Sequence, residues 1–295
     1  MAKKQIALFG CGRFGSNHAR ELGKREDVEI VALVDPNFSN RSEIVRAFMK
    51  KSVPEFVSPE ALFKSDMDYD AGIVATPPQY LHGIAKGLLE TKKHVYVEKP
   101  FATSEDEATE LVRIASDNKR ILMVGANRCV YPAYRAAADA YRYEDVKGRI
   151  ALVLIDGTHN KHEREEFVKI YGDKGTITVK FENGSSNAYI ERKGKEEKLD
   201  LSVATNEIHS FGIEDPLSHP ALVHNFAAQL SGATKINASP GYNGILSVRA
   251  LYLVDESEKH ENNGTSTFQY PMRLEDDLRS LPSVVNPYAS IGIEL

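Results

Sequence analysis

The stretch QIALFGCGRFGSNHARELGK, residues 5–24, decides the fold. It begins with a short apolar run, continues with Gly10-Cys11-Gly12-Arg13-Phe14-Gly15, and ends with residues at helical spacing over Phe14–Lys24. A Gly-x-Gly-x-x-Gly pattern between a strand and a helix is the dinucleotide-binding fingerprint. The first glycine permits a tight turn, the second lets the backbone approach a pyrophosphate, and the third lets the helix pack closely. These residues therefore predict a nucleotide site whose contacts are Gly10, Gly12, Arg13, Phe14 and Gly15.

Asp35 stands where the fingerprint places an acidic residue. It follows the second predicted strand, Glu29–Val34, and lies twenty residues beyond Gly15. A carboxylate at the end of that strand accepts hydrogen bonds from an adenosine ribose diol and repels a 2′-phosphate. The sequence therefore predicts NAD(H) as the cofactor. NADP(H) stays open as an alternative if the loop Asp35-Pro36-Asn37 turns the carboxylate away.

The first 125 residues alternate short apolar, β-branched runs with longer runs of helical spacing. Such alternation indicates repeated βαβ units, and hence a doubly wound parallel sheet with helices on both faces. We therefore predict an NAD(P)-binding Rossmann domain over residues 1–125. The predicted strands are Gln5–Phe9, Glu29–Val34, Ala71–Ala75, His94–Val97 and Ile121–Val124, and the predicted helices are Phe14–Lys24, Ser42–Lys50, Gln79–Glu90 and Ser104–Asp117.

The pattern changes after Val124, where consecutive strand-like runs are joined by turn signals such as Gly172-Asp173-Lys174-Gly175 and Asn183-Gly184. Strands joined by short turns pair antiparallel. We therefore predict a shortened α+β domain over residues 126–295, with an open, mostly antiparallel sheet, for substrate binding and oligomerisation. Its predicted strands are Arg149–Ile155, Glu166–Tyr171, Thr176–Phe181 and Asn187–Arg192, its predicted helices are Tyr131–Tyr141, Pro220–Leu230 and Tyr242–Asp255, and Glu256–Leu295 is predicted to form an extended arm.

Composition narrows the class of partner. The 295 residues carry 37 Lys and Arg against 42 Asp and Glu, and a net charge of -5 gives no electrostatic footprint for nucleic acid.

No apolar run approaches the roughly eighteen residues that cross a bilayer, so we expect no membrane insertion. The two cysteines do not make a secreted disulfide framework, and the first residues lack the pattern of a signal peptide. We therefore expect a cytoplasmic protein.

Two further segments follow predicted strands at the same sheet edge. One is Glu98-Lys99-Pro100, and the other is Ala75-Thr76-Pro77-Pro78, with His82 in the helix after it. Ligands bind at this carboxyl edge in doubly wound sheets. Together with the glycine loop and Asp35, these motifs resemble the Gfo/Idh/MocA family, named for glucose–fructose oxidoreductase and inositol dehydrogenase.

Gly125-Ala126-Asn127-Arg128 is similar to the segment that leaves the sixth strand of that family. The resemblance implies a Rossmann domain, an α+β substrate domain, and hydride exchange between a nicotinamide and a secondary hydroxyl, or the matching ketone, of a sugar, polyol or inositol. It implies that Lys99 is catalytic and contacts both substrate and nicotinamide, and that Arg128 contacts substrate. Pro100 resembles a position at which the preceding peptide bond can be cis, and the sequence leaves the isomer of the Lys99–Pro100 bond open. The cofactor contacts that it implies are Thr76, Pro77, His82, Glu98, Lys99 and Asn127.

One part of the family pattern is missing. After the strand over Arg149–Ile155, catalytic members have a long loop and a helix with a Gly-Gly, then an Asp and a His four residues apart. Here the chain runs through Asp156-Gly157-Thr158-His159 to Glu166. Alcohol oxidation releases a proton as well as a hydride, so the usual proton acceptor is not found. His159 is a candidate replacement for that proton acceptor. The residues near His159 do not provide a third ligand at metal-binding spacing, so we predict no metal site.

Two functions from different classes therefore stay open. One is an NAD-dependent oxidoreductase with Lys99 at its centre, and the other is a catalytically degenerate relative that binds NAD(P) as a sensor or structural partner. An open antiparallel sheet with one uncovered apolar face needs a partner. We therefore expect a homodimer or homotetramer formed through the C-terminal sheet.

Overall fold

The chain divides into two compact units. In this computed structural model, one unit comprises Met1–Ala126 with the described residues from Val223 onwards, and the other comprises Asn127–Leu222. The first unit thus includes a C-terminal segment that the sequence analysis assigned to the second domain. The structure describes residues 2–49, 51–143, 153–157, 166–172, 174–182, 185–217, 220–241 and 244.

The first unit contains a six-stranded sheet in which every pair of neighbouring strands is parallel. The strand order is β3-β2-β1-β4-β5-β6, which confirms the predicted doubly wound sheet. Its strands are β1 (Lys4–Phe9), β2 (Val28–Val34), β3 (Glu55–Phe56), β4 (Ala71–Val74), β5 (His94–Val97) and β6 (Leu122–Val124). Its first helices are α1 (Arg13–Leu22), α2 (Phe38–Phe48), α3 (Pro59–Phe63), α4 (Pro78–Glu90) and α5 (Glu105–Asp117).

Two elements of this unit, β3 and α3, were not predicted, and α2 begins earlier than predicted. β3 has only two residues, and α3 has five, so neither offers enough length for a periodic apolar pattern. α2 starts at Phe38 instead of Ser42 because the Asn37 side chain accepts a hydrogen bond from the Ser39 N–H at 2.9 Å and caps the helix.

The strand ends of the parallel sheet lie in register. Phe9 pairs with Val34 on one side and with Val74 on the other, and the row continues through Val97 and Val124. The centre of the sheet is fully buried, as expected for parallel strands covered on both faces. Because the strands are parallel, the residues that follow this row emerge together at the carboxyl edge. These residues are Asp35, Gly10, Ala75, Glu98 and Gly125.

The outer edge of β6 is covered by the segment that follows the last described helix, α8 (Leu222–Ser231). The Val124 N–H donates to the Ser239 carbonyl at 2.8 Å, and Met123 forms an antiparallel bridge with Pro240. The fully buried Asn225 of α8 holds the segment by donating to the Ile236 carbonyl at 3.0 Å. Covering the strand protects an edge that would otherwise be free to pair with another chain.

The second unit is an α+β arrangement, and its sheet is antiparallel as predicted, with the order β11-β10-β9-β8-β7. β11 and α7 were not predicted. The sequence of β11 is Lys-Glu-Glu-Lys, which lacks the apolar alternation of a strand, and all four residues are exposed. The strands are β7 (Val153–Gly157), β8 (Glu166–Gly172), β9 (Gly175–Glu182), β10 (Ser185–Arg192) and β11 (Lys195–Lys198), and the helices are α6 (Pro132–Tyr143) and α7 (Ser202–Ser210).

One face of this sheet packs against alanines of α6. The buried cluster joins Ala133, Ala137 and Ala140 of the helix to apolar residues of β9 and β10 such as Ile177 and Ile190. Side chains alternate between faces along a strand, so the residues between these buried ones lie on the opposite face. In the part of the sheet that the structure describes, these include Thr176, Thr178, Lys180, Asn187 and Tyr189. This face is mixed in character, not apolar as predicted.

Several predicted features lie outside the described residues. They are the first part of the strand over Arg149–Ile155, the turn at Asn183-Gly184, His159, all of the helix over Tyr242–Asp255 except Gly244, and the arm over Glu256–Leu295. Among the described helices, none combines the length and the apolar character needed to cross a membrane.

Candidate nucleotide and hydride-transfer site

The glycine loop between β1 and α1 has two positions that exclude a side chain and one that faces open space. Gly10 has φ +87°, and a Cβ there would lie 2.5 Å from the Ala75 carbonyl oxygen. A Cβ on Gly15 would lie 1.9 Å from the carbonyl oxygen of Gly10. At Gly12, a Cβ would meet no atom within 4 Å. The fold therefore explains the first and third glycines, whereas the second is explained only by a ligand that approaches the backbone there.

Helix α1 begins with Gly12 at its N-cap position, which brings no side chain to cap it. Three other helices of this unit have side-chain caps, supplied by Asn37, Ser58 and Ser104. An uncapped helix start presents backbone N–H groups and the positive end of the helix dipole to an anion. The α1 start therefore suits the pyrophosphate of a dinucleotide.

Asp35 lies beside this loop and is held in place there. Its Oδ2 accepts a hydrogen bond from the Cys11 N–H at 2.7 Å, and its Oδ1 accepts one from the Asn37 N–H at 2.8 Å. The residue is only 9% exposed. The carboxylate thus faces the glycine loop, where an adenosine ribose would lie, and is not turned away.

Arg41 is the cation nearest in sequence to this carboxylate, and it is engaged elsewhere. Its guanidinium donates to the backbone carbonyl of Asp35 and, at 2.9 Å, to Glu55 Oε2. It is buried and lies 5.7 Å from the ring centre of Phe38. Glu55 therefore offsets the positive charge that would otherwise attract a 2′-phosphate.

Glu98-Lys99-Pro100 leaves β5 at the same edge of the sheet. Glu98 is 4% exposed, and its Oε2 accepts a hydrogen bond from the Lys99 N–H at 3.2 Å. The Lys99–Pro100 bond is cis. The Lys99 side chain is exposed, and its Nζ lies 5.9 Å from the ring centre of Phe14. The guanidinium carbon of Arg13 lies 5.2 Å from the same ring centre.

Three groups of predicted contacts therefore lie at this edge. They are the glycine loop with Phe14, the carboxylate of Asp35, and Lys99 with Glu98. Thr76 also joins them, since a Cβ on Gly10 would lie 2.9 Å from the Thr76 nitrogen. Pro77 follows Thr76 as the N-cap residue of α4. The parallel register of β1, β2, β4 and β5 explains why residues so distant in sequence meet.

Other predicted contacts are placed differently. His82 lies against α5, where its Nε2 is 2.9 Å from Glu110 Oε2. Asn127 and Arg128 lie in the second unit, in a 3-10 helix over Asn127–Val130. There the Asn127 Oδ1 accepts a hydrogen bond from the Leu222 N–H at 3.3 Å. Both His82 and Asn127 thus have protein partners that explain their presence without a cofactor.

Two residues of the site were missed by sequence reasoning. His18, which is fully buried, has its Nε2 2.9 Å from Glu98 Oε1. Gly125 leaves room for that carboxylate, because a Cβ there would lie 3.0 Å from Glu98 Oε2. The signal for His18 was its position on the buried face of α1, with Gly15 and Leu22. A polar residue at that place requires a buried partner.

The described part of the chain shows no group of three His, Cys, Asp or Glu side chains that could hold a metal ion. Cys11 is buried, and burial with the nearby Asp35 charge raises the pKa of its thiol to about 12. The thiol is therefore a packing group and not a nucleophile.

Comparison with known proteins agrees with this geometry. The model of an oxidoreductase family with an NAD-binding Rossmann fold, Gfo/Idh/MocA, matches residues 4–126. A 4-carboxy-2-hydroxymuconate-6-semialdehyde dehydrogenase of Sphingobium sp. is 31% identical over 152 residues, 52% of this chain and 46% of that protein. An inositol 2-dehydrogenase of Rhizobium meliloti is 27% identical over 168 residues, 57% of this chain and 49% of that protein. The matched region therefore spans about half the length of these relatives.

Solved structures resemble the chain over more of its length. The WlbA dehydrogenase of Chromobacterium violaceum, in complex with NADH and UDP-GlcNAcA, superimposes with a TM-score of 0.64 at 18% identity, covering 91% of this chain and 97% of that one. The UDP-N-acetylglucosamine 3-dehydrogenase GnnA of Acidithiobacillus ferrooxidans gives 0.61 at 16% identity, covering 86% and 97%. At such identities the likeness establishes the fold and leaves the chemistry to the site itself.

Proposed function

We propose that this protein is an NAD-dependent oxidoreductase, because residues 4–126 match the model of the Gfo/Idh/MocA oxidoreductase family with its NAD-binding Rossmann fold. It exchanges a hydride between the nicotinamide and a secondary hydroxyl, or the matching ketone, of a sugar, polyol or inositol-like substrate. The observation that carries the proposal is the alignment of the glycine loop, Asp35 and Lys99 at one edge of the parallel sheet.

The residues present fit a dinucleotide. The backbone at Gly12 and the start of α1 would hold the pyrophosphate, and Asp35 would accept hydrogen bonds from the ribose diol. NAD(H) is preferred over NADP(H) in this proposal. The support is that Asp35 is fixed toward the loop by two backbone N–H groups, and that Arg41 is paired with Glu55.

Lys99 supplies the polar group at the reacting end. A bound nicotinamide supplies hydride chemistry, which leaves the protein to orient the substrate and to move a proton. The Lys99 ammonium donates a hydrogen bond to the substrate oxygen, which stabilises the alkoxide character that develops as the hydride leaves, and the hydroxyl proton passes to the water around this exposed side chain. In the reverse direction it polarises the ketone. Arg128, in the second unit, is proposed to contact the substrate as well.

The substrate class rests on the relatives. The matched proteins include an inositol 2-dehydrogenase, and the similar structures include dehydrogenases of UDP-linked amino sugars or their acids. These activities are properties of those proteins. For this chain they define the panel of hydroxyl compounds to be tested.

The second candidate function is a catalytically degenerate protein that binds NAD(P) as a sensor or structural partner. The observation that favours it is the connection between β7 and β8, where only residues 158–165 separate Gly157 from Glu166. Eight residues are too few for the long loop and helix in which catalytic members carry their Asp and His. The chain then lacks the usual proton acceptor, unless His159 replaces it.

We further propose that the protein is cytoplasmic and forms a homodimer or homotetramer through the C-terminal sheet. With two cysteines in 295 residues, the chain has too few for a disulfide framework, which suits a reducing compartment. The mixed face that carries Lys180 and Tyr189 offers both aromatic and charged contacts to a second copy. Light scattering of the purified chain distinguishes a monomer from either assembly.

The experiment that tests the proposed function is a turnover assay with NAD+. The purified protein is mixed with NAD+ and a panel of inositols, aldoses, uronates, amino sugars and UDP-sugars, and formation of reduced nicotinamide is followed by absorbance. Lys99→Ala is run in parallel, with Lys3→Ala as a control for loss of an exposed lysine. Turnover that is lost in Lys99→Ala and kept in Lys3→Ala supports the enzyme. Cofactor binding with only background turnover in all three proteins supports the sensor.

A further inference from the structure

A buried histidine and a buried glutamate join α1 to the end of β5. The His18 Nε2 lies 2.9 Å from Glu98 Oε1, and the two side chains are 0% and 5% exposed. A carboxylate so deeply buried requires hydrogen-bond donors, because without them its desolvation is not offset. His18 supplies one donor at one oxygen of this carboxylate.

The other oxygen of Glu98 is tied to the next residue. Its Oε2 accepts a hydrogen bond from the Lys99 N–H at 3.2 Å. The carboxylate is therefore held from both ends, by a helix on one side and by the backbone of Lys99 on the other. Such bidentate bonding to a charged acceptor fixes orientation as well as adding energy.

The surroundings of the carboxylate are closely packed. The Tyr96 ring meets the His18 ring edge-on, with 5.0 Å between their centres. Gly125, after β6, has no side chain where a Cβ would lie 3.0 Å from Glu98 Oε2. Glu98 thus lies among residues of α1, β5 and the end of β6, all of which belong to the nucleotide unit.

We propose that His18 is a positioning residue for Lys99. It holds Glu98, Glu98 holds the backbone N–H of Lys99, and the Lys99 Nζ is thereby kept at its place near Phe14. This inference rests on the proposed function, in which Lys99 contacts the substrate oxygen. His18 itself contacts Glu98 and Tyr96 and is not catalytic.

The kinetic test compares three variants with the wild type. His18→Leu removes the donor to Glu98 and introduces an apolar side chain of similar size. His18→Gln keeps a donor near the Nε2 position. Leu22→Ala, on the same buried face of α1, is the control for lost stability that leaves His18 in place. We expect His18→Leu to lower kcat by roughly 10- to 100-fold with little change in KM. His18→Gln restores most of kcat, and Leu22→Ala keeps it.

A second measurement needs no turnover. Amide hydrogen exchange of the peptide that contains Lys99 reports whether its N–H stays bonded to Glu98. We expect faster exchange at Lys99 in His18→Leu and near wild-type exchange in His18→Gln and Leu22→Ala. If the wild type turns over no substrate, the proposed function fails, and the exchange result still decides whether His18 positions Lys99.

Three results would overturn the inference. The first is a normal kcat in folded His18→Leu. The second is exchange at Lys99 that is unchanged in that variant. The third is a loss of kcat in Leu22→Ala equal to that in His18→Leu, which would make stability, and not position, the cause.

Discussion

Gly12→Ala is expected to weaken cofactor binding while leaving the fold intact. A Cβ at this position would meet no atom within 4 Å, and Gly12 has φ -72°, which alanine adopts without strain. The free energy of unfolding should therefore change by no more than about 1 kcal/mol. By contrast, Gly15→Ala should not fold, because its Cβ would lie 1.9 Å from the Gly10 carbonyl oxygen.

The loss of affinity in Gly12→Ala follows from the role of the open space. If a pyrophosphate approaches the backbone there, a methyl group forces it away and loses at least one charge-assisted hydrogen bond. Such a bond contributes about 1.5–3 kcal/mol, which corresponds to a roughly 10- to 150-fold rise in Kd. Calorimetric titration with NADH measures the Kd, and thermal unfolding measures stability.

Gly83→Ala is the matched control for this experiment. Gly83 lies inside α4, and a Cβ there also meets no atom within 4 Å. The substitution should stabilise the helix by up to about 1 kcal/mol and leave the Kd for NADH unchanged. An unchanged Kd in Gly12→Ala would refute the placement of the pyrophosphate at this loop.

Three further outcomes are expected. Asp35→Asn removes the charge that repels a 2′-phosphate, so the ratio of the Kd for NADP(H) to that for NAD(H) should fall by about tenfold or more in calorimetric titrations. Burial, with nearby positive charge, lowers the pKa of His94 to about 4. Below about pH 6.5 the unfolded chain therefore binds a proton at His94 that the folded chain does not bind, and the free energy of unfolding should fall by up to about 3 kcal/mol between pH 6.5 and 4. Denaturant titrations of His94→Gln should not show this fall. Lys119 has φ 54°, in the left-handed region after α5, so Lys119→Gly should raise the free energy of unfolding by roughly 0.5–1 kcal/mol, whereas Lys119→Ala should not.

The nucleotide unit could be predicted from sequence because its signals are local. The glycine spacing, the acid after β2 and the apolar runs of the central strands each arise within a few residues. The register of the parallel strands then brings Asp35, Gly10 and Glu98 to one edge without further information. Short or charged elements, such as β3 and β11, could not be found because they carry no periodic apolar pattern.

The partners of buried polar side chains were harder to predict. His18 was not singled out, because nothing within α1 indicates that a glutamate eighty positions later lies beside it. His82 was assigned to the cofactor, yet the packing of α4 on α5 places it at Glu110. Such pairs depend on which helices pack together, which a single sequence does not specify.

The measurement that tests the central claim most directly is the transfer of a labelled hydride. Substrates of the panel that carry deuterium on the carbinol carbon are incubated with the protein and NAD+, and the recovered cofactor is analysed by mass spectrometry. The account predicts deuterium in the reduced nicotinamide, with none formed by Lys99→Ala. If the protein binds NAD+ but the cofactor is recovered unreduced with every substrate of the panel, the assignment as an oxidoreductase is contradicted.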